Sequence, residues 1–174
     1  MRNSITPLPG GRLRKEYRGT LAWKREITLL RQMAGSGLCP ELLDAPLRQA
    51  EMTECPGVPL GECVRAASRQ EAREMMAALA AWTDAFEREY HRRIGQTAVL
   101  EDLSPGNFLW DAASRKITGL DFEFWHTGSP AENRGGLLCM AERLKAAEIT
   151  GEELTGELYR QFRGGSDRAE LEHR

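Results

Sequence analysis

From Ser68 to Arg93 the chain reads as one long amphipathic helix, and no other segment restricts the fold as much. Met75, Leu79, Trp82, Phe86 and Tyr90 fall on one stripe at helical spacing, while Glu71, Arg73, Asp84, Glu87 and Arg88 mark other faces. A stripe of this kind is core. His91, at the solvent end of the helix, sits near the C-terminal dipole as a surface residue. The helix is flanked on both sides by β texture, which predicts an α+β chain.

On the N-terminal side, residues 12 to 17 alternate so that Leu13, Lys15 and Tyr17 share one face of a strand. If that face is inward, Lys15 needs a partner carboxylate or an anionic ligand, because burying a bare ammonium is costly. If the strand is an exposed edge, Lys15 only extends along it into water. Spacing allows both. Gly19 ends the strand, Thr20 is the expected cap, and a helix to about Ala34 carries Trp23, Ile27, Leu30 and Ala34 on a buried stripe with Glu26 beside it. Gly35-Ser-Gly37 stops this helix, Cys39–Leu43 is extended, and Leu47 to Met52 reads as another strand. The turn-rich Cys55-Pro-Gly-Val-Pro59 suits a hinge between two lobes, 1–59 and 60–174.

After the long helix come Thr97–Leu100, a Ser104-Pro-Gly106 turn, and a hairpin of Asn107–Asp111 with Lys116–Leu120. Two further helices are expected at about Gly136–Glu148 and Glu152–Phe162, with a frayed polar tail from Gly164.

Several classes are excluded. The longest apolar run, Met75–Trp82, has eight residues, against ~20 for a membrane span, and the first residues lack the apolar core of a secretory signal. Cys39, Cys55, Cys63 and Cys139 form no C-x-x-C pair, which points to free thiols in a reducing cytoplasm rather than disulfides or zinc. Residues 1 to 34 hold eight basic groups against two acidic ones, and the remainder is acidic, for a net charge of −2. That asymmetry suits a cleft with phosphates on one side and cations on the other, and equally a solvated charged surface. A pI near 6.0 without a basic-aromatic run argues against nucleic acid.

The chemistry is concentrated in Asp102-Leu-Ser-Pro-Gly-Asn107 and Asp121-Phe-Glu123, polar residues at the ends of short apolar strands. A hairpin brings Asp121 back beside the Asp102 loop, so two carboxylates and an amide oxygen converge as hard donors suited to Mg²⁺. A free carboxylate beside them can orient a hydroxyl and take its proton.

These residues resemble the D-L-x-x-x-N and D-F-G signatures of protein-kinase-like enzymes, and most closely the aminoglycoside phosphotransferase and choline kinase branch, which often has D-x-E. The resemblance extends over about residues 12 to 130. It implies a protein-kinase-like two-lobe fold, with a shortened N-terminal β lobe and a mostly helical C-terminal lobe. By the same resemblance Lys15 holds the ATP phosphates and Glu26 is its helix partner. The Glu51–Glu54 connector, with Met52 and Glu54, meets the adenine; Asp102 is the catalytic base, and Asn107 and Asp121 hold Mg²⁺. The sequence departs from that pattern at three places. Little chain precedes Lys15, and Pro9-Gly10-Gly11 stands in place of a G-x-G-x-x-G loop. Leu100 and Glu101 replace the histidine-containing pair before the aspartate, which bears on loop geometry. Little follows residue 130, and His126 and Asn133 are given surface or capping roles.

The implied activity is ATP-dependent transfer of the γ-phosphate to a hydroxyl of a small molecule or glycan. The rivals are a catalytically inactive kinase-like module that binds nucleotide or a protein partner, and a metal-dependent hydrolase. A homodimer is a further expectation, since a shortened lobe leaves apolar sheet surface uncovered.

Overall fold

The computed structural model describes residues 3–172, with side chains through 164; Arg2 and the end of the polar tail lie outside the described residues. The chain forms two lobes. The first is an antiparallel sheet of order β1-β2-β4-β3, made of β1 (Ser4–Leu8), β2 (Arg12–Glu16), β3 (Leu42–Asp44) and β4 (Gln49–Thr53), with helix α1 (Thr20–Gln32) packed beside it. Strand β1 is not among the strands expected from sequence. Ser-Ile-Thr-Pro-Leu is almost wholly exposed and contains a proline, so it carries no alternation to read. It joins β2 through Pro9-Gly10-Gly11, where both glycines have positive φ (78° and 67°), a turn that side chains would oppose.

Cross-strand register decides which way Lys15 faces. Ile5, Lys15 and Ala50 stand opposite one another, and so do Pro7, Leu13, Met52 and Leu42. Directly opposed residues share a face, so these form the inner side of the sheet, and Lys15 is buried on it. Arg14 lies on the outer side, where it pairs with Glu51 at 2.6 Å.

Helix α1 differs from expectation at both ends. Gly19, not Thr20, is the N-cap, and no side chain caps it. Ala34 lies beyond the helix and is exposed, while Leu29 and Met33 join Ile27 and Leu30 in the core.

The second lobe is built on α3 (Arg69–Ile94). It opens with a Ser68–Glu71 capping box and closes at Gly95 in the left-handed conformation. Met75, Leu79, Trp82, Phe86 and Tyr90 are all buried. Glu87, read as polar surface, is buried as well. It accepts from Asn133 Nδ2 at 3.2 Å and faces Arg134, and burial pushes its carboxyl above the usual range.

Around α3 lie α2 (Leu60–Ala66), the β7 (Phe108–Asp111) and β8 (Lys116–Gly119) hairpin, and the pair β6 (Ala98–Leu100) and β9 (Trp125–Thr127). Strand β5 (Val58–Pro59) pairs with β7, so the end of the turn-rich connector belongs to the second lobe's sheet. The first of the last two helices starts and ends earlier than expected, leaving 144–148 outside it, and the second is longer than expected. Ser129-Pro-Ala-Glu132 is a capping box that starts α4 at Pro130, and the helix ends at Arg143. Helix α5 runs Gly151–Glu172, through the stretch expected to fray. No helix among the described residues is long and apolar enough to cross a membrane.

Candidate active site

The aromatic stripe of α3 lies directly under the two polar loops. Phe108, next to Asn107, meets the Trp82 ring edge-on at 5.3 Å between centroids. Phe122, next to Asp121, stacks on Phe86 at 5.9 Å. Each loop is thus fastened to the core by the residue adjoining its polar one. The loops are also tied to each other, since Leu120 N donates to Asn107 O at 2.7 Å. Within the first loop, Asp102 Oδ1 accepts from Ser104 N (3.2 Å) and Asn107 Nδ2 donates to Asp102 O (3.1 Å). That bond occupies the amide nitrogen of Asn107 and leaves its oxygen without a partner among the described residues.

Strand β6, which delivers Asp102, is held without the missing histidine. Buried Asn133 accepts from Leu100 N (2.8 Å) and donates to Ala98 O (2.9 Å), and Glu101 N donates to Phe124 O (3.0 Å). The surface or capping role expected for Asn133 is therefore corrected: it links α4, β6 and α3 inside the core. His126 is on the surface, between Glu101 and Glu132.

Across the cleft, Lys15 Nζ lies 2.6 Å from Glu26, 2.9 Å from Asp121 and 2.7 Å from Glu123. Burial alone would pull the ammonium down. Glu26, Asp121 and Glu123 outweigh it and hold Lys15 above its ordinary range. Glu26 connects three parts of the site, receiving Lys15 and Tyr17 OH (2.7 Å) on one oxygen and Phe122 N (3.1 Å) on the other. Asp121 adopts a left-handed backbone, φ 58°, which Asp tolerates better than most residues, and turns its carboxylate to Lys15. Its side chain is 40% exposed, against 7% for Lys15 and 3% for Glu26, so it is the member of the cluster that meets solvent.

Two contiguous cavities occupy the cleft between the lobes. One, of about 330 Å³, is mainly apolar, lined by Leu13, Met52, Cys55, Leu109 and Leu120. The other, of about 550 Å³, is polar and lined by Lys15, Asp102, Asn107, Asp121 and Glu123. Lys15, Asn107 and Asp121 line both. All seven residues singled out from sequence thus line one or both of these cavities. Glu54 lines the apolar cavity too, but its side chain is exposed and its amide donates to Gly11 O at 2.8 Å, so that N–H is already engaged.

No protein-family model matches the chain, and no curated protein matches it in sequence. Solved structures do match. The complex of gentamicin with APH(2″)-IIa aligns with a TM-score of 0.67 at 11% identity, covering 92% of this chain and 73% of that one. The streptomycin–ATP–APH(2″)-IIa ternary complex gives 0.64 at 11% identity, covering 94% and 79%. ADP-bound aminoglycoside phosphotransferase APH(2″)-Ib gives 0.63 at 12% identity, covering 94% and 77%. The chain has the protein-kinase-like fold of these aminoglycoside phosphotransferases. Its two-lobe α+β architecture is the one expected from the resemblance.

Within this kinase-like cleft, sequence reasoning missed Tyr17, Cys55 and the contact of Glu123 with Lys15. The D-x-E spelling carried a signal for Glu123 through the resemblance; nothing in the sequence marks Tyr17 as a donor to Glu26. The donor set fits Mg²⁺. Glu26, Asp121 and Glu123 bring oxygens within 4.8 Å of one another beside the amide of Asn107, hard donors of the kind this ion takes.

Proposed function

We propose that the chain is an ATP-dependent phosphotransferase that moves the γ-phosphate to a hydroxyl of a small molecule or glycan, in the cytoplasm. The observation that carries this reading is the arrangement about one cleft of an apolar cavity, a buried Lys–Glu pair, a hard-oxygen pair and an exposed Asp102. The adenine occupies the apolar cavity beneath Met52, and Lys15, aligned by Glu26, contacts the α and β phosphates. Asn107 and Asp121 would hold Mg²⁺, which supplies charge neutralisation on the phosphates. Asp102 orients the acceptor hydroxyl and takes its proton as the oxygen bonds to the γ-phosphorus. The bond to the β–γ bridging oxygen breaks and ADP leaves. Catalysis here is positioning and electrostatics.

The test is transfer of labelled γ-phosphate, with nucleotide binding followed separately. Asp102→Asn should lower turnover by about 10²- to 10⁴-fold while ADP affinity stays within a few-fold. Asp121→Ala should remove the Mg²⁺-dependent part of the thermal stabilisation by nucleotide. A second reading, a nucleotide-binding module without transfer, is favoured by the β1–β2 turn. Gly11 O is fastened to the end of β4 by Glu54 N, which ties the turn to that strand. Binding without any Asp102-dependent turnover would decide for that reading.

A further inference from the structure

A third cavity, of about 450 Å³, lies on the far side of the Asp102 loop. Asp102 and Ser104 line both it and the polar cavity, so the Asp102 carboxylate stands on the ridge between them. Its long wall is α4. Glu132 and Arg143, eleven residues apart on that helix, are separated by about 16 Å along the axis, and Leu103 and Met140 supply apolar surface between them.

The charges at the two ends are not in the same state. At the acidic end both carboxylates beyond Asp102 are committed. Glu132 accepts from Ser129 N at 2.8 Å and lies 3.3 Å from His126 Nε2, and Glu101 lies 3.0 Å from His126 Nδ1. Glu101 and Glu132 together hold His126 above its ordinary range, which favours an imidazolium between them. At the other end, Arg143 has no ion-pair or hydrogen-bond partner among the described residues. Arg69, Arg115, Arg134 and Arg160 of the same lobe each reach a carboxylate. Arg65, Arg88 and Arg163 also lack an ion pair, but they line none of the three cavities. A polycationic acceptor would bring positive charge to satisfied carboxylates and an unpaired guanidinium. An acceptor with an oxyanion would pair that guanidinium, which suits planar oxyanions well.

We infer that this groove takes the acceptor and that Arg143 selects one carrying an oxyanion, carboxylate or phosphate, away from the hydroxyl presented to Asp102. The inference rests on the phosphotransfer reading above.

The experiment assays the full chain with Mg·ATP against glycerol, glycerate, glycerol 3-phosphate and serinol, which share a hydroxymethyl group and differ in charge. One or both anionic acceptors should be used with a KM at least about tenfold below those of glycerol and serinol. Comparing glycerate with glycerol 3-phosphate separates carboxylate from phosphate. Arg143→Ala should raise the KM of the preferred anionic acceptor about 10- to 100-fold, the size expected for a lost charge-assisted contact, with little change in kcat. Arg143→Lys should restore most of the loss, which a merely structural role would not require. Preference for glycerol or serinol, or an Arg143→Ala enzyme with unchanged KM, overturns the inference and leaves phosphotransfer standing. Nucleotide binding with none of the four acceptors used also counts against it. Failure of nucleotide to bind at all removes the underlying reading instead.

Discussion

Glu123 places a carboxylate oxygen 2.7 Å from the Lys15 ammonium, and both side chains are buried. Lys15 thereby neutralises part of a cluster that also contains Glu26 and Asp121. Removing one partner of a buried ion pair typically costs about 3–5 kcal/mol. Lys15→Met should therefore lose stability of that order at pH 7 in urea unfolding. Burial already pushes the Glu123 carboxyl above its usual range, and without the ammonium, which pulls it down, its folded value stands further above the unfolded one. The deficit should then shrink as pH falls from 7 toward 5 and grow as pH rises through those values. A Lys15→Met protein as stable as the parent at pH 7 would contradict the cluster.

Gly119 is where strand β8 touches the long helix. A Cβ there would fall inside contact distance of the Trp82 ring and lie 3.1 Å from Phe122 Cζ. Trp82 has little room to move, because it stacks on Phe86 and its Nε1 donates to Leu38 O at 2.8 Å. Gly119→Ala is expected to destabilise by about 1–3 kcal/mol, the range for overpacking. It should also weaken nucleotide binding, since Leu120 and Asp121 follow directly. Denaturation and ADP titration of the same variant check both.

Asn133 satisfies two backbone groups of β6 and donates to Glu87, all inside the core. Asn133→Ala leaves these groups unpaired, at about 1–3 kcal/mol for a buried polar group. The expected result is a clear loss in unfolding free energy, together with faster amide exchange at Leu100. Asn133→Asp should not rescue, because it replaces the amide donor with a second carboxylate facing Glu87.

The imidazole of His126, held up first by Glu101 and then by Glu132, has a folded-state pKa above its unfolded value. Its contribution to stability is complete below about pH 6.5 and is lost as pH rises through the folded value. The parent should melt at a lower temperature at pH 8 than at pH 6, and His126→Gln should show a smaller difference. Equal differences in the two proteins would remove His126 from the account.

The site was legible wherever its residues are fixed by local spacing. Asp102, Asn107 and Asp121 stand at the ends of short apolar strands, and the α3 stripe beneath them repeats every three or four residues. The missed elements lacked such a pattern. Strand β1 is exposed and contains Pro7, and Glu87 and Asn133 are polar residues whose burial comes from partners on other elements. The start of α4 was legible in Ser129-Pro-Ala-Glu132, a capping box that an apolar-run reading passes over.

By itself the sequence determined the long helix, the strand–loop–strand block carrying the carboxylates, and the alternation that put Lys15 in line with Leu13. Periodicity and turn chemistry are local properties, and they act over a few residues. Only the tertiary structure decided that Lys15 faces inward, that three carboxylates surround it, and that Arg143 stands at the other end of the α4 wall from Glu132 with no partner among the described residues. The physical reason is that a charge's state depends on what stands within a few ångströms of it. For Lys15 and Glu123 those neighbours come from strands and loops that only folding brings together.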